Sequence, residues 1–345
     1  MSQETLIQFI IIPFILIFIV LNICAVGIAY LVLLERKVMA FIQSRLGPMR
    51  VGPHGLLQPA ADGLKLLLKE DIQPAGITRA IFIAAPIIVV VTAFAAMSLI
   101  PFGESFTAFG YEVKLRITDV NIGLLMILAI SSLSTYGVVL GGWSSASKYP
   151  LLGALRAAAQ MVSYEVALTF AVLAPIMVAG TLSMVRIVEA QMEMGYWLIF
   201  LQPVAFLLFL ITMIAETNRP PFDMVEADSE LVGGFFTEYS GMRWSLFFLG
   251  EYGAMIVMAA VNTTIFLGGW LRPFPNVEAL AFLDFIPGPI WFAVKLLAFL
   301  YFYIWVRFTF PRYRYDQLMT LGWKVFIPIS IANVLLTGLV MLLLA

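Results

Sequence analysis

Long apolar runs constrain this chain more than any other feature of its sequence. Each run contains about 20 mostly apolar residues, the length that an α-helix needs to cross the hydrocarbon core of a bilayer. With 62% hydrophobic and 12% charged residues, the chain cannot bury its apolar surface in a water-soluble globule. The sequence therefore predicts an all-α integral membrane protein, a single polytopic domain over residues 1–345. The eight predicted transmembrane helices are 6–34, 79–101, 120–141, 160–180, 196–215, 246–268, 289–308 and 325–344.

Basic residues are distributed unevenly between the loops that join these spans. The loops after the first, third, fifth and seventh spans hold 15 Lys and Arg residues, whereas the alternate loops hold four. Because cytoplasmic loops are enriched in basic residues, we expect the first group of loops in the cytoplasm and both termini on the opposite side.

The chain contains few soft or imidazole metal ligands. Cys24 is its single cysteine and His54 its single histidine. These two residues exclude an iron–sulfur cluster, a bis-His haem or a thiolate zinc site built by this chain alone. Electrons for any redox reaction must therefore come from elsewhere. We expect a buried, inert thiol at Cys24 and a solvated or structurally paired His54.

The first cytoplasmic loop, residues 35–77, contains an amphipathic segment at 56–68. Leucine and alanine residues recur there at helical spacing, with Gln58, Asp62 and Lys65 on the opposite face. The pattern predicts a cytoplasmic amphipathic helix at the membrane surface. A surface anchor without a ligand and a wall of a binding site both fit this pattern.

Residues 216–244 form an acidic cytoplasmic loop of unusual composition. Six carboxylates stand against only two guanidiniums, those of Arg219 and Arg243. Such a charge run is typical of a solvated loop. The prolines and phenylalanines among the acids instead favour a packed loop that brings carboxylates toward the membrane. The acidic residues are Glu216, Asp223, Glu226, Asp228, Glu230 and Glu238.

Three ionisable residues fall inside predicted spans: Glu165, Glu251 and Lys295. Each costs about 2.5–3.5 kcal/mol near the centre of a bilayer, which makes each a functional candidate. A buried ion pair, for example Lys295 with a carboxylate, is the structural alternative. The predicted topology places Glu165, Glu216 and Glu251 in the cytoplasmic half of the membrane, where they would form one proton inlet.

Four long segments, at 33–71, 141–166, 216–242 and 310–328, resemble a known family. They include RLGPMRVGPHGLLQPAADGLK in the first segment and ETNRPPFDMVEADSEL in the third. In order and in content they resemble the H-subunit family of proton-translocating NADH:quinone oxidoreductase, respiratory complex I. This family is the bacterial counterpart of the mitochondrially encoded subunit 1 of NADH dehydrogenase, and the resemblance runs nearly end to end.

The resemblance implies a multi-pass subunit of the bacterial inner membrane with periplasmic termini. It implies ubiquinone as substrate, and FMN and iron–sulfur clusters in partner subunits, with no cofactor or metal bound by this chain alone. The implied partners are the hydrophilic quinone-site subunits, the neighbouring membrane-arm subunits and membrane lipid, and nucleic acid is not among them.

The resemblance also implies roles for individual residues. The chain would form the opening and lower wall of the ubiquinone chamber and would start a chain of carboxylates that couples quinone reduction to proton movement. The implied quinone-binding residues are Arg36, Lys37, Asp62, Arg219 and Phe222. The implied proton-transfer residues are Glu165, Glu216, Asp223, Glu226, Asp228, Glu230 and Glu251.

Three other functions remain open at this point. Membrane-bound hydrogenases and formate hydrogenlyases use a related subunit. A free-standing ion-coupled transporter also uses buried Glu and Lys residues, although this chain shows no duplicated halves. A purely structural anchor would have no need for the cost of intramembrane acids.

Overall fold

The computed structural model describes residues 11–108, 111–224 and 233–344, and it is mostly helical. Within these residues, seven helices are apolar and long enough to cross a membrane, so the chain is a multi-pass membrane protein. The seventh of these is Tyr315–Leu344, which includes a π-helical turn at Gly322–Phe326. The helices are α1 (Ile12–Ile42), α2 (Gln58–Leu68), α3 (Arg79–Met97), α4 (Gly123–Ser144), α5 (Lys148–Ala179), α6 (Met184–Met194), α7 (Leu198–Leu201), α8 (Pro203–Glu216), α9 (Gly241–Phe266), α10 (Gly288–Thr309), α11 (Tyr315–Leu321) and α12 (Ile327–Leu344).

The first helix extends further than its apolar run. Helix α1 continues to Ile42, so Glu35, Arg36 and Lys37 lie on a helix and not at the start of a loop. No glycine or proline interrupts residues 35–42, and the following Ser44 takes a positive φ of 54° that ends the helix. The charged side chains at this end of α1 therefore have fixed positions.

The segment predicted as the fifth span is two helices, α7 and α8, separated at Gln202. Pro203 lacks a backbone N–H and begins a new helix more readily than it continues an old one. The Gln202 amide donates to Thr337 Oγ1 at 3.0 Å and accepts from Asn333 Nδ2 at 3.2 Å, both on α12. Helix α8 alone has 14 residues, fewer than a span needs.

A two-stranded antiparallel hairpin, β1 (Ser105–Ala108) and β2 (Tyr111–Lys114), lies between α3 and α4. Phe106 pairs with Val113 in its register. The all-α expectation missed this hairpin because four-residue strands carry little periodic signal.

Helix α9 lies at the centre of the bundle and packs against α1, α3, α8 and α10. Its Gly250 lies so close to α3 that an added Cβ would be 2.4 Å from a Val89 methyl carbon. Gly137 of α4 meets the same valine, with an added Cβ 2.5 Å from its other methyl carbon. Small residues let membrane helices approach closely, so α3, α4 and α9 form one tight unit.

Candidate functional site

A groove of about 540 Å³ lies between α1, α2 and α9. Its walls are mostly apolar, with residues of α1 such as Ile28 and Val32 along one side. Polar side chains interrupt this apolar lining. They are Glu35, Arg36, Gln58, Asp62, Ser245, Tyr252 and Arg307.

The amphipathic helix α2 is fastened to α1 at the rim of this groove. Arg36 donates to Asp62 at 2.6 Å, and Gln58 donates to the other Asp62 oxygen at 3.1 Å. Lys37 donates to the backbone carbonyl of His54 at 2.6 Å and does not line the groove. The structure thus brings Arg36 and Asp62 together across two elements, as a shared site requires.

An ionic cluster of five side chains closes the inner end of the groove: Glu35, Arg219, Glu251, Tyr252 and Arg307. Tyr252 donates to Glu35 at 2.6 Å, and Arg307 forms an ion pair with the same carboxylate. Arg219 lies 3.5 Å from Glu35 and 2.7 Å from Glu251, and its guanidinium stacks 4.2 Å from the Tyr252 ring centroid. One guanidinium therefore contacts two carboxylates on different helices.

The cluster keeps Arg219 charged in a buried position, where only 3% of the residue is exposed. Burial alone would lower the pKa of Arg219, but Glu251, Tyr252 and Glu35 together raise that pKa above its usual value. Two carboxylates and two guanidiniums balance within the cluster. Such balance is what makes buried charges tolerable.

An inner cavity of about 70 Å³ lies on the other side of this cluster, with room for a few water molecules. It is lined by Glu216, Asn218, Asp223 and Glu251, together with apolar side chains of α3, α4 and α9. Within the described part of the chain, Glu216 Oε2 and Asn218 Oδ1 are buried without a hydrogen-bond partner. Because Glu251 belongs to both the cluster and the cavity lining, polar groups run from the groove to Glu216.

Glu165 lies half-buried on α5, beyond Glu216. Its carboxylate lies close enough to that of Glu216 to interact with it electrostatically, and Ser132 of α4 lies beside it. The structure therefore brings Glu165, Glu216 and Glu251 to neighbouring positions, although they come from three different helices.

The start of the acidic loop is packed and not solvated. Asp223, 2% exposed, is paired with Arg312 at 3.0 Å. Phe222 stacks on Tyr313 at 5.5 Å and lines neither the groove nor the inner cavity. This packing places Phe222 away from the groove in which the sequence predicted its role, and Arg219 likewise sits behind the groove wall.

The end of the acidic loop is also anchored, whereas Glu226, Asp228 and Glu230 lie outside the described residues. Tyr239 stacks on Phe82 at 4.0 Å and donates to the Phe82 carbonyl at 3.2 Å. Burial raises the pKa of Tyr239 to about 12, so this side chain is neutral and acts as an anchor.

Lys295 is buried, but its partners are backbone carbonyls and not the carboxylate of the alternative ion pair. Its ammonium donates to the carbonyls of Leu267, Gly269 and Leu271 at 2.6, 2.9 and 2.6 Å. It also lies 4.5 Å from the Trp197 ring centroid. A cation at a helix C-terminus is favourable, so Lys295 caps α9 at the end far from the ionic cluster.

Sequence reasoning missed Glu35, Tyr252 and Arg307. The apolar run ends at residue 34, so the sequence predicts a loop that begins at Glu35, and it predicts Arg307 as a loop charge that sets the topology. Only the fold brings them together. In the described ranges, no group of three His, Cys, Asp or Glu side chains is arranged to hold a metal ion.

Comparison with known proteins agrees with the resemblance in the sequence. Residues 15–338 match the sequence model of the NADH dehydrogenase family. One of the H subunits of NADH-quinone oxidoreductase in Geobacter metallireducens is 51% identical over 315 residues, covering 91% of this chain and 92% of the relative. The H subunit of Rhodospirillum centenum is 51% identical over 313 residues, covering 91% and 89%. The H subunit of Thermomicrobium roseum is 46% identical over 343 residues, covering 97% of both chains.

A family match over most of the chain, with relatives about half identical to it, settles the family. The chain belongs to the NADH dehydrogenase family, among the relatives named as the H subunit of NADH-quinone oxidoreductase.

Proposed function

We propose that this chain is the subunit of NADH-quinone oxidoreductase that holds quinone in the groove between α1, α2 and α9. We further propose that it passes the effect of quinone reduction to buried carboxylates. The single observation that carries this proposal is the ionic cluster. Arg219 contacts Glu35, which lines the groove, and Glu251, which lines the inner cavity.

The groove has the character of a site for a long apolar molecule with a polar head. Its volume is within the usual range for ligand sites, and a few convergent polar groups stand among apolar walls. The apolar flank of α1 suits an isoprenoid tail. Arg36, which Asp62 holds at the groove rim, can donate hydrogen bonds to the quinone oxygens. Ubiquinone is the proposed substrate, reduced by electrons from FMN and iron–sulfur clusters in partner subunits.

The carboxylates are proposed to carry protons. A unit charge on a reduced quinone about 8 Å from a carboxylate contributes roughly 2 kcal/mol at an effective dielectric constant of about 20. That energy favours proton uptake by a nearby acid. Glu251, Glu216 and Glu165 are the proposed carriers of the membrane part of the path. Asp223, Glu226, Asp228 and Glu230 are their proposed counterparts in the acidic loop.

The topology proposed for this function has eight spans, with α7 and α8 together as the fifth. Residues 198–216 would rise about 28 Å at 1.5 Å per residue, enough to cross the hydrocarbon core. In this topology both termini lie in the periplasm and the acidic loop lies in the cytoplasm of a bacterium, which the excess of basic residues in the alternate loops supports. There the hydrophilic quinone-site subunits would cover the groove, and neighbouring membrane-arm subunits would receive the protons.

The relatives' names favour this reading over a hydrogenase subunit or a free-standing transporter, because each is named as a subunit of NADH-quinone oxidoreductase. A purely structural anchor would not need the buried acids around Arg219.

Photoaffinity labelling tests the quinone site directly. Native membranes are labelled with an azido-quinone, with and without excess unlabelled quinone, and the labelled peptides are mapped by mass spectrometry. We expect competable labels on α2 and on the α1 residues that line the groove. Labels found only on other subunits would contradict the proposal for this chain.

The variant Glu216→Gln tests the proton path. We expect it to lower the number of protons pumped per NADH oxidised, because it removes one of the titratable groups that line the inner cavity. The control is Glu238→Gln, because Glu238 is an acidic residue of the same loop that does not line the inner cavity. Unchanged pumping in Glu216→Gln would remove this residue from the path.

A further inference from the structure

The C-terminal turn of α8, which carries Glu216, is hydrogen-bonded by side chains from two other helices. Gln160 of α5 donates through Nε2 to the carbonyl of Ala215 at 2.7 Å. Tyr303 of α10 donates through its hydroxyl to the carbonyl of Met213 at 3.1 Å. Both residues are deeply buried, at 0% and 2% exposure. The backbone directly before Glu216 is therefore held from two sides.

These donors act where a carboxylate is least favourable on a helix. The last carbonyls of an α-helix carry partial negative charge, which repels an anion on the final turn. Glu216 is the last residue of α8 and also feels the charge of Glu165. Donors to the carbonyls of Met213 and Ala215 reduce the negative potential at this end and fix the stem of the Glu216 side chain.

A second buried glutamine, Gln191, provides a structural comparison for Gln160. Gln191, also 0% exposed, donates to the carbonyls of Thr264 and Ile187, and its oxygen accepts from the backbone of Leu198. Its amide is satisfied at both ends. It lies on α6, away from the inner cavity lining.

Gln160 differs from Gln191 in one respect that bears on Glu216. Among the described residues, Gln160 Oε1 is buried without a donor, and Glu216 Oε2 is buried without a donor as well. Buried polar atoms are normally paired, so each exception calls for an explanation, of which a role in catalysis is one. If Gln160 served only to hold α5 against α8, its side chain would not need an unpaired oxygen.

We infer that Gln160 and Tyr303 are positioning residues for the Glu216 carboxylate, holding it at the inner cavity while it exchanges protons. This inference rests on the proposed role of Glu216 in proton transfer. Neither residue lines the groove that is proposed to hold quinone.

The test compares Gln160→Leu with Gln191→Leu, which removes an equally buried amide elsewhere in the fold. Tyr303→Phe is compared with Tyr164→Phe, since Tyr164 is also buried and donates to a carbonyl, that of Leu318 at 2.9 Å. Assembled complex is quantified on native gels. Proton pumping in inverted vesicles is then measured per NADH oxidised, together with the KM for quinone.

We expect Gln160→Leu and Tyr303→Phe each to lower the proton ratio about two- to tenfold, the range for loss of one neutral hydrogen bond. The KM for quinone stays unchanged. The two control variants keep the normal proton ratio in whatever complex assembles. Equal ratios in the Gln160→Leu and Gln191→Leu complexes would overturn the inference. If Gln160→Leu does not assemble, the test rests on Tyr303→Phe, which removes a single oxygen atom. Equal proton ratios in the Tyr303→Phe and Tyr164→Phe complexes would then overturn the inference.

A second background shows whether the effect passes through Glu216. In Glu216→Asp the carboxylate is already displaced, so adding Gln160→Leu should cause no further fall in the proton ratio. A full additional fall would mean that Gln160 acts independently, and the inference would be wrong while the role of Glu216 stands. Normal pumping in Glu216→Gln would instead refute the proposed function itself.

Discussion

Removal of the Arg219 guanidinium is the most direct test of the ionic cluster. The variant Arg219→Met leaves Glu35 and Glu251 with Arg307 as the remaining guanidinium of the cluster. At 2.7 Å and an effective dielectric constant of about 20, the attraction between Arg219 and Glu251 is roughly 6 kcal/mol. Desolvation of the two groups offsets part of it, and breaking a buried pair on one side costs about 3–5 kcal/mol.

A cost of about 3–5 kcal/mol changes an equilibrium by between roughly a hundredfold and a few thousandfold. We therefore expect Arg219→Met to reduce the amount of assembled complex strongly. Arg243→Met is the matched control, because Arg243 also pairs with a carboxylate, Asp71, at 2.9 Å but in a more exposed position. Loss of such a pair costs at most about 1 kcal/mol, so this control should assemble normally.

The double variant Arg219→Met with Glu251→Gln separates stability from function. It restores charge balance, since Glu35 and Arg307 remain paired, and neutral replacements of buried ion pairs are often no less stable. We expect normal assembly, retained quinone reduction and a reduced proton ratio. Failure to regain assembly would refute the electrostatic reasoning, and full recovery of pumping would exclude Arg219 and Glu251 from the proton path.

Three further variants probe other contacts. Asp62→Asn weakens the partly exposed ion pair with Arg36 at the groove rim, so it should raise the KM for quinone about two- to fivefold at constant kcat. A fall in kcat alone would contradict this role. Tyr252→Phe keeps the ring but removes the hydrogen bond to Glu35, which is worth about 1.5–3 kcal/mol. The number of protons pumped per NADH in assembled complex should therefore fall, and an unchanged number would contradict a role of the ionic cluster in pumping. Lys295→Met should reduce assembly on native gels, and Lys295→Arg should reduce it less; a specific loss of pumping would contradict the capping role.

The parts of the fold that depend on local sequence were predictable. Apolar runs indicated the spans, and the spacing of leucines indicated the amphipathic helix that the structure places at Gln58–Leu68. The break at Gln202 has a local signal in the sequence, since Gln202 precedes Pro203. The residue before a proline is disfavoured in a helix. The β-hairpin had no comparable signal.

The parts of the site that depend on long-range contact were not predictable from one sequence. Arg219 and Glu35 are 184 positions apart, and Arg307 and Glu35 are 272 apart. No periodicity relates such positions, so Glu35 looked like the first residue of a loop. The sequence left a carboxylate open as an alternative partner of Lys295, but its acceptors are backbone carbonyls at and just beyond the C-terminus of α9. Tertiary structure decides such partners.

The geometry of Arg219 suggests why one residue can connect events in the groove with the inner cavity. Its guanidinium is shared between Glu35 at 3.5 Å and Glu251 at 2.7 Å, so a stronger attraction to one carboxylate weakens its hold on the other. Under the proposed function, a negative charge on quinone would attract the guanidiniums that contact Glu35, which lines the same groove. A guanidinium drawn toward that charge would hold Glu251 less tightly. The positive charge beside Glu251 would then be weaker, and the electrostatic potential would change in the inner cavity that Glu251 and Glu216 both line.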